Sequence, residues 1–368
     1  SPDGDWFTFD GEREIWDVSR ESLELFGHKA QTRDGEWSPD GSLIATASFD
    51  NTARIWDAVT GKQLFVLEHP DRVWFLDWSP DGTRIVTPCA DGTARTWDVS
   101  TGEVLLEVPL ETTALFTARW SPDGSRIVNS GFASQATVWD ADTGEIITKF
   151  GFGEKILALL GPEEDFCLLF GPSWTPDGER IATGCIHSRE IGTGALIWDA
   201  STGELLTSME DLGGGTGRAE WLNDGRRIIS SHGSPEENVI RLWDFDTGDL
   251  LQTFTGHAIF AYGLSISPDG RRVASGDMNG VVKVWDIETG AEVLSFQVVG
   301  GAGNVHWSPD GSHIIVTGGA NTPVIRHVWQ STHALIDHAY QCCVTRELTP
   351  EEREQSGLPP VEEPAVQP

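Results

Sequence analysis

Short apolar runs separated by turn residues recur along this chain, and one stretch shows the pattern clearly. Residues 72–78, Arg-Val-Trp-Phe-Leu-Asp-Trp, are rich in aromatic and branched side chains and predict a β-strand. The Pro-Asp-Gly at 80–82 predicts a tight turn, because Pro restricts φ and Gly accepts a positive φ. The pattern predicts a unit of four short antiparallel strands, with the remaining three at 84–87, 93–97 and 104–107.

The same unit returns at regular intervals along the chain. A tryptophan closes the third strand of each unit and is followed by Asp in all cases but the last: Trp16, Trp56, Trp97, Trp139, Trp198, Trp243, Trp285 and Trp329. The successive intervals are 40, 41, 42, 59, 45, 42 and 44 residues, which is typical of radially repeated β structure. The sequence therefore predicts an all-β fold, a seven-bladed β-propeller of four-stranded antiparallel blades, followed by a short C-terminal helical tail.

These Trp-Asp pairs and Pro-Asp-Gly turns resemble the WD-repeat family over residues 1 to about 330. In that family a buried network joins a His before the first strand, a Ser or Thr on the second, an Asp in the hairpin turn and the Trp of the third. The resemblance implies that these groups are structural partners of a buried indole. The matching positions are His28, Thr46, Asp50 and Trp56; His69, Thr87, Asp91 and Trp97; and His257, Ser275 and Trp285, with Asn279 in the Asp position.

Closure of the ring is predicted from the order of the strands. The first outer strand, about Leu23 to Phe26, is expected to complete the last blade, because closure by the chain start removes an exposed sheet edge. An eight-bladed ring completed by the C-terminal tail is the alternative. The predicted organisation is a leftover hairpin of a preceding repeat at 1–20, the propeller at 21–330, a helical tail at 331–356 and a disordered Pro- and Glu-rich end at 357–368.

The two faces of the predicted disc differ in loop length. The Pro-Asp-Gly and Thr-Gly turns share one face and are nearly constant in length. The opposite face carries the loops that vary in length, including a long insertion at 145–175. We interpret that insertion either as a self-packing loop or as a docking lip. Six residues before the Pro of each turn, or before the matching Asn223, stand one Arg, four aromatic residues and, in two repeats, Gly217 and Gly303. Arg and aromatic residues are enriched in binding hot spots. They form a predicted partner-binding ring at the channel mouth: Arg33, Trp74, Phe116, Phe170 and Tyr262.

Composition narrows the classes of partner. The chain has 57 acidic and 25 basic residues and a formal net charge of -32, which repels phosphate backbones and argues against nucleic acid. No run approaches the roughly 18 apolar residues of a membrane span. Five cysteines without a framework spacing indicate reduced thiols and a cytoplasmic protein.

Catalytic motifs are weak by comparison. There is no Gly-rich phosphate loop, and the His residues outside the networks fall at unrelated blade positions, so we expect no catalytic, cofactor or metal site. The string at 344–353 resembles the tail after terminal propellers of large bacterial proteins, many of which carry an upstream STAND-class NTPase module. We therefore expect a non-enzymatic sensor or scaffold propeller of a larger bacterial signalling or defence protein. It would bind a protein, a peptide or a small ligand on the face that carries the loops of variable length. Any enzyme activity or oligomerisation would belong to upstream domains of the larger protein. A hydrolase or lyase acting in the channel is the alternative.

Overall fold

The computed structural model describes residues 6–7, 16–17, 23–110, 114–131, 135–151, 167–187, 195–209, 215–233 and 238–328. The chain divides into two compact units. The larger is Leu23–Ile325, and the smaller combines Ser1–Ser22 with Arg326–Pro368. Within the smaller unit, Trp6–Phe7 pairs antiparallel with Trp16–Asp17. The predicted helical tail at 331–356 and the end at 357–368 lie outside the described residues.

Seven four-stranded antiparallel sheets make up the propeller, and we number these blades 1 to 7 from Thr32 onward. The first, innermost strands are Thr32–Trp37, Asp77–Trp78, Leu115–Trp120, Cys167–Trp174, Gly215–Trp221, Ala261–Ile266 and Ala302–Trp307. The second strands are Leu43–Ser48, Arg84–Pro88, Arg126–Gly131, Arg180–His187, Arg227–Gly233, Arg272–Asp277 and His313–Gly318. The third strands are Thr52–Asp57, Thr93–Asp98, Gln135–Asp140, Leu196–Asp199, Asn238–Asp244, Val281–Asp286 and Val324–His327. The fourth strands are Gln63–Glu68, Val104–Pro109, Ile146–Gly151, Leu205–Ser208, Leu250–Thr255, Glu292–Gln297 and, in blade 7, Leu23–Glu24.

Closure of the ring by the chain start is confirmed. Leu23 and Glu24 pair with Ile325 and Val324, and the Leu25 amide donates to the Pro323 carbonyl at 3.2 Å. Blade 7 thus takes its fourth strand from the start of the propeller, and the eight-bladed alternative is wrong. The paired strand is two residues long, shorter than the predicted Leu23 to Phe26.

The Pro-Asp-Gly turns adopt the geometry that their residues favour. In blade 2 the Gly82 amide donates to the Ser79 carbonyl at 2.8 Å, and Gly82 has a φ of 70°. Ser79 Oγ donates to Asp81 Oδ1 at 2.6 Å, which fixes the turn from within. A Cβ built on Gly82 would lie 3.4 Å from Pro39 of blade 1, so neighbouring turns are packed side by side.

The core lies between neighbouring sheets, and burial falls from the channel outward. Second strands are buried on both faces, as in Leu43–Ser48, whereas the fourth strand Gln63–Glu68 is mostly exposed. One cluster between blades 1 and 2 joins Ile55 and Leu67 to Leu76 and Trp97. Each blade therefore buries its apolar face against the next one, as expected of a stacked repeat.

The long insertion extends one hairpin of the propeller. In blade 4 the first strand Cys167–Trp174 and the second strand Arg180–His187 have eight residues each, whereas the corresponding strands of blade 1 have six. Leu169, which the sequence assigned to the insertion, is fully buried in the core with Trp174. Residues 152–166 lie outside the described part of the chain.

The structure also bears on the cysteines and on membrane spans. Cys89 is a free buried thiol, but Cys185 is disulfide-bonded, so the expectation of only reduced cysteines is wrong. Within the described ranges, no helix is long and apolar enough to cross a bilayer.

Candidate functional site

Three blades contain the His-centred network that the resemblance implied. In blade 1, Trp56 Nε1 donates to Thr46 Oγ1 at 2.8 Å, and Thr46 Oγ1 lies 2.7 Å from His28 Nε2. His28 Nδ1 lies 3.0 Å from Asp50 Oδ2. Since Nδ1 faces a carboxylate, it carries the proton in a neutral ring, and Nε2 then accepts from the Thr46 hydroxyl. Burial lowers the pKa of His28, which favours this neutral form.

Blade 2 departs from the predicted network at its acidic member. Trp97 Nε1 donates to Thr87 Oγ1 at 2.8 Å, and His69 Nε2 lies 2.8 Å from the same oxygen. His69 Nδ1, however, lies 2.9 Å from the Leu67 carbonyl, and Asp91 accepts from Arg95 at 2.8 Å instead. The prediction that Asp91 joins the network is therefore wrong, because Arg95 competes for its carboxylate.

Blade 6 departs from the prediction at the same position. His257 Nε2 lies 2.7 Å from Ser275 Oγ, which accepts from Trp285 Nε1 at 2.9 Å. The acid beside His257 Nδ1 is Asp277, at 2.9 Å, and not Asn279 as the alignment of the repeats suggested. Ser275 and Asp277 are two residues apart on one strand, so both side chains point to the face on which His257 lies. Asn279 contacts Asp277 only through its backbone amide, at 2.9 Å.

Three other blades satisfy the indole without a His before the first strand. The acceptors are Asn129 Oδ1 for Trp139 at 2.6 Å, Thr183 Oγ1 for Trp198 at 2.9 Å and Ser230 Oγ for Trp243 at 2.8 Å. In blade 5 the Ser230 hydroxyl lies 2.6 Å from Nε2 of His232, a residue two positions further on the same strand. These blades therefore keep the buried indole hydrogen-bonded by different side chains, as buried polar groups require.

The predicted binding ring lies at the start of the first strands, on the face opposite the Pro-Asp-Gly turns. The Arg33 guanidinium carbon is 5.3 Å from the centroid of Trp74, and Trp74 packs edge-on against Phe116 with centroids 5.2 Å apart. Phe116 is only 6% exposed, so it packs against Trp74 and does not offer the contact surface that was predicted. Tyr262, by contrast, is 40% exposed.

Additional aromatic residues that the alignment missed extend this ring. Phe49 of the blade 1 hairpin packs against Trp74 with centroids 4.6 Å apart, and Phe260 packs against Tyr262 at 4.5 Å. Phe260 also fills the place of the side chain missing at Gly217, where an added Cβ would lie 2.2 Å from its ring. Phe170 packs edge-on against Phe75, with ring centroids 5.6 Å apart.

Below the ring, the channel is lined by charged side chains that the sequence reasoning did not single out. They stand three or five residues before the Pro of the turn in five of the seven blades, with Asn223 in place of that Pro in blade 5. Counting inner-strand positions in every repeat would have revealed this signal. The side chains that carry charge or can acquire it are Asp34, Glu36, Asp77, Arg119, Arg218, Glu220 and His306.

Two carboxylates and an imidazole meet in this layer. His306 Nε2 lies 3.2 Å from Asp34 Oδ1, and His306 Nδ1 lies 3.5 Å from Glu36 Oε1. Burial raises the pKa of Glu36 to about 8. Burial also acts to raise the pKa of Asp34, but hydrogen bonding and the charge of His306, with help from Arg119 and Arg218, lower it to about 2.

This acid and His cluster could hold a metal ion, since Asp34, Glu36 and His306 place ligand atoms within 4.8 Å of one another. Its charges are already partly balanced, however. Arg119 Nη1 donates to Glu36 Oε1 at 2.5 Å, and Arg218 Nη1 donates to Asn304 Oδ1 at 2.7 Å, while the Asn304 amide donates to Asp34. These contacts connect blades across the channel and weaken the attraction for a further cation.

In the six blades whose third-strand Trp the structure describes, the indole donates to a side chain of the second strand, an arrangement similar to that of WD repeats. WD40 repeats, described as WD domain, G-beta repeat, match at residues 20–57, 61–98 and 248–286. These three stretches cover the first three strands of blades 1, 2 and 6, the blades that contain the His-centred network.

Parts of several curated proteins are similar to this chain. Protein FIZZY-RELATED 3 of Arabidopsis thaliana is 26% identical over 189 residues, which cover 50% of this chain and 37% of the relative. The APC/C activator protein CDC20 of Saccharomyces cerevisiae is 29% identical over 161 residues, or 43% of this chain and 25% of the relative. B-type cell cycle switch protein ccs52B of Medicago truncatula is 28% identical over 189 residues, or 50% and 36%. The chain thus spans well under half the length of these relatives.

Proposed function

We propose that this propeller is a non-enzymatic recognition module that binds a protein or peptide on the face carrying Arg33, Trp74 and Tyr262. The observation that carries the proposal is the cluster itself, where Arg33 and two aromatic rings meet at the channel mouth and Tyr262 keeps 40% of its surface exposed. Side chains of these types dominate the energetics of protein interfaces. The relatives named as an activator and as switch proteins of the cell cycle support a role through protein binding.

The wider setting is also a proposal. The string at 344–353 supports a place at the C-terminus of a larger bacterial signalling or defence protein in the cytoplasm, with a STAND-type module upstream. The curated relatives are eukaryotic. Sequencing the complete gene tests this part separately, because an upstream nucleotide-binding module would support it and a cell-cycle adaptor architecture would overturn it.

The binding face is tested with paired substitutions on the two faces of the disc. In a pull-down with the chain as bait, Tyr262→Ala and Arg33→Glu should each weaken partner binding by on the order of 2 kcal/mol if they are hot spots. Arg271→Ala, an exposed change beside a Pro-Asp-Gly turn, should leave binding unchanged. Trp74→Ala requires a melting curve alongside, because Trp74 also packs on Phe49 and Phe116. Binding lost only in the Arg271 variant would place the site on the other face.

The alternative function, a hydrolase or lyase acting in the channel, is favoured by one observation, the cluster of Asp34, Glu36 and His306. General acid and base chemistry needs such groups in reach of a substrate. Here Glu36 and Asp34 are engaged by Arg119 and Asn304, which favours a structural role. Hydrolysis of simple ester or phosphoester substrates that disappears in His306→Ala would support the alternative over our proposal.

A further inference from the structure

Two arginines converge on one aromatic side chain at the channel mouth. The Arg33 guanidinium carbon lies 5.5 Å from the centroid of Phe49, and that of Arg72 lies 5.4 Å from the same centroid. Trp74 provides a second ring, 5.3 Å from Arg33. We call these four residues, Arg33, Phe49, Arg72 and Trp74, the arginine–aromatic cluster.

No carboxylate among the described residues forms a direct ion pair with the arginines of this cluster, although the charge of Asp34 favours the charged form of Arg33. Arg33 Nε is buried without a hydrogen-bond partner among those residues. The neighbouring Asp34 is committed elsewhere, since its carboxylate accepts from the Leu76 amide at 3.1 Å and contacts His306. Burial lowers the pKa of Arg33 despite the opposing charge of Asp34, as expected of a partly desolvated cation.

Such a cluster is unusual in a chain of this composition. With 57 acidic and 25 basic residues, most buried arginines of this protein find a carboxylate, as Arg119 finds Glu36 and Arg218 finds Glu220. An incoming anion would supply the missing partner of Arg33 and form a charge-assisted hydrogen bond. The aromatic rings beside it provide apolar surface for the neighbouring groups of the same ligand.

The net charge of the chain limits which anion fits. A formal charge of -32 repels nucleic acids and other polyanions. The repulsion of a ligand group with a single negative charge is much smaller, so one carboxylate can bind. We propose that the arginine–aromatic cluster binds one acidic side chain of a partner peptide, with an adjacent apolar side chain packed on Trp74 and Tyr262. This inference rests on the proposed function and specifies the partner chemistry that the face recognises.

A library of displayed random dodecapeptides, selected against the complete chain, tests the inference. Selected peptides should share an Asp or Glu next to an apolar residue, and replacing that acid by its amide should lower affinity about tenfold or more. Arg33→Gln should cause a similar loss, and Arg33→Lys a smaller one because it keeps the charge. Arg72→Gln changes an exposed side chain, so it tests the cluster even if the Arg33 variant folds poorly. Arg271→Gln is the control that removes one positive charge from the opposite face.

The outcomes separate this inference from the proposed function. Peptides that lose affinity with Tyr262→Ala but need no acidic residue would overturn the inference and leave the recognition face in place. Peptides that need only a free C-terminal carboxylate would overturn it as well. Failure to select any peptide, or binding unaffected by both Tyr262→Ala and Arg33→Gln, would overturn the inference and the proposed function together.

Discussion

Removing the hydroxyl at the centre of a blade network should destabilise the protein measurably. Thr46→Val preserves the shape of a fully buried side chain but deletes the oxygen that accepts from Trp56 and contacts His28. Two buried polar groups would then lack a partner, the indole N–H and the imidazole Nε2. Each such group costs about 1–3 kcal/mol, so we expect a loss of about 3 kcal/mol in the free energy of unfolding.

Blade 4 provides the matched comparison. Thr183 is equally buried and accepts from Trp198 at 2.9 Å, but no His contacts its hydroxyl among the described residues. Thr183→Val therefore leaves one group without its acceptor, and we expect about half the cost of Thr46→Val. The difference between the two variants isolates the contribution of His28.

Urea unfolding followed by tryptophan fluorescence gives the free energy of unfolding of both variants. The values can be compared if the slope of this free energy against urea concentration is the same as in the wild type. Binding to the recognition face should be unaffected in both, because the networks lie inside the blades. The reasoning would be refuted if Thr46→Val cost less than about 0.5 kcal/mol. It would also fail if Thr183→Val proved the more damaging of the two.

Three other predictions follow from the same contacts. Asp91→Ala should cost only about 0–1 kcal/mol by urea unfolding, because Asp91 pairs with Arg95 and the Trp97 network remains intact; a larger loss would return Asp91 to that network. Burial lowers the pKa of His69 to about 4, so stability present above its ordinary pKa near 6.5 should be lost as pH falls toward 4, by about 3 kcal/mol; His69→Gln should reduce this pH dependence, and an unchanged profile would contradict the reasoning. Deleting residues 1–20 should leave a folded propeller by melting and light scattering, whereas deleting 1–30 removes Leu23–Glu24 and should cause aggregation, so unfolding by the shorter deletion would count against closure by that strand.

Much of the fold could be predicted because each blade is local in sequence. Its four strands are consecutive, and turn residues such as Gly82, with a φ of 70°, mark where the chain reverses. The seven strand units that follow Trp16 indicated the number of blades, and the need to cover a sheet edge indicated that Leu23 closes the ring. Repeat alignment was insufficient where two residues of one blade could provide the polar partner of the network His. Asp277, two positions from Ser275 on the same strand, takes the place that repeat alignment assigned to Asn279.

The site depends on contacts that no local pattern contains. The amide of Asn304 reaches Asp34 across 270 residues because ring closure places blade 7 beside blade 1. Phe260 fills the space at Gly217, which the alignment could only show as a gap in the ring. The sequence by itself determined the repeated strands and turns, since these follow from side-chain type and spacing over a few residues. Only the tertiary structure decided which charges meet in the channel and which arginines lack a partner, because those depend on the direction of side chains from different blades.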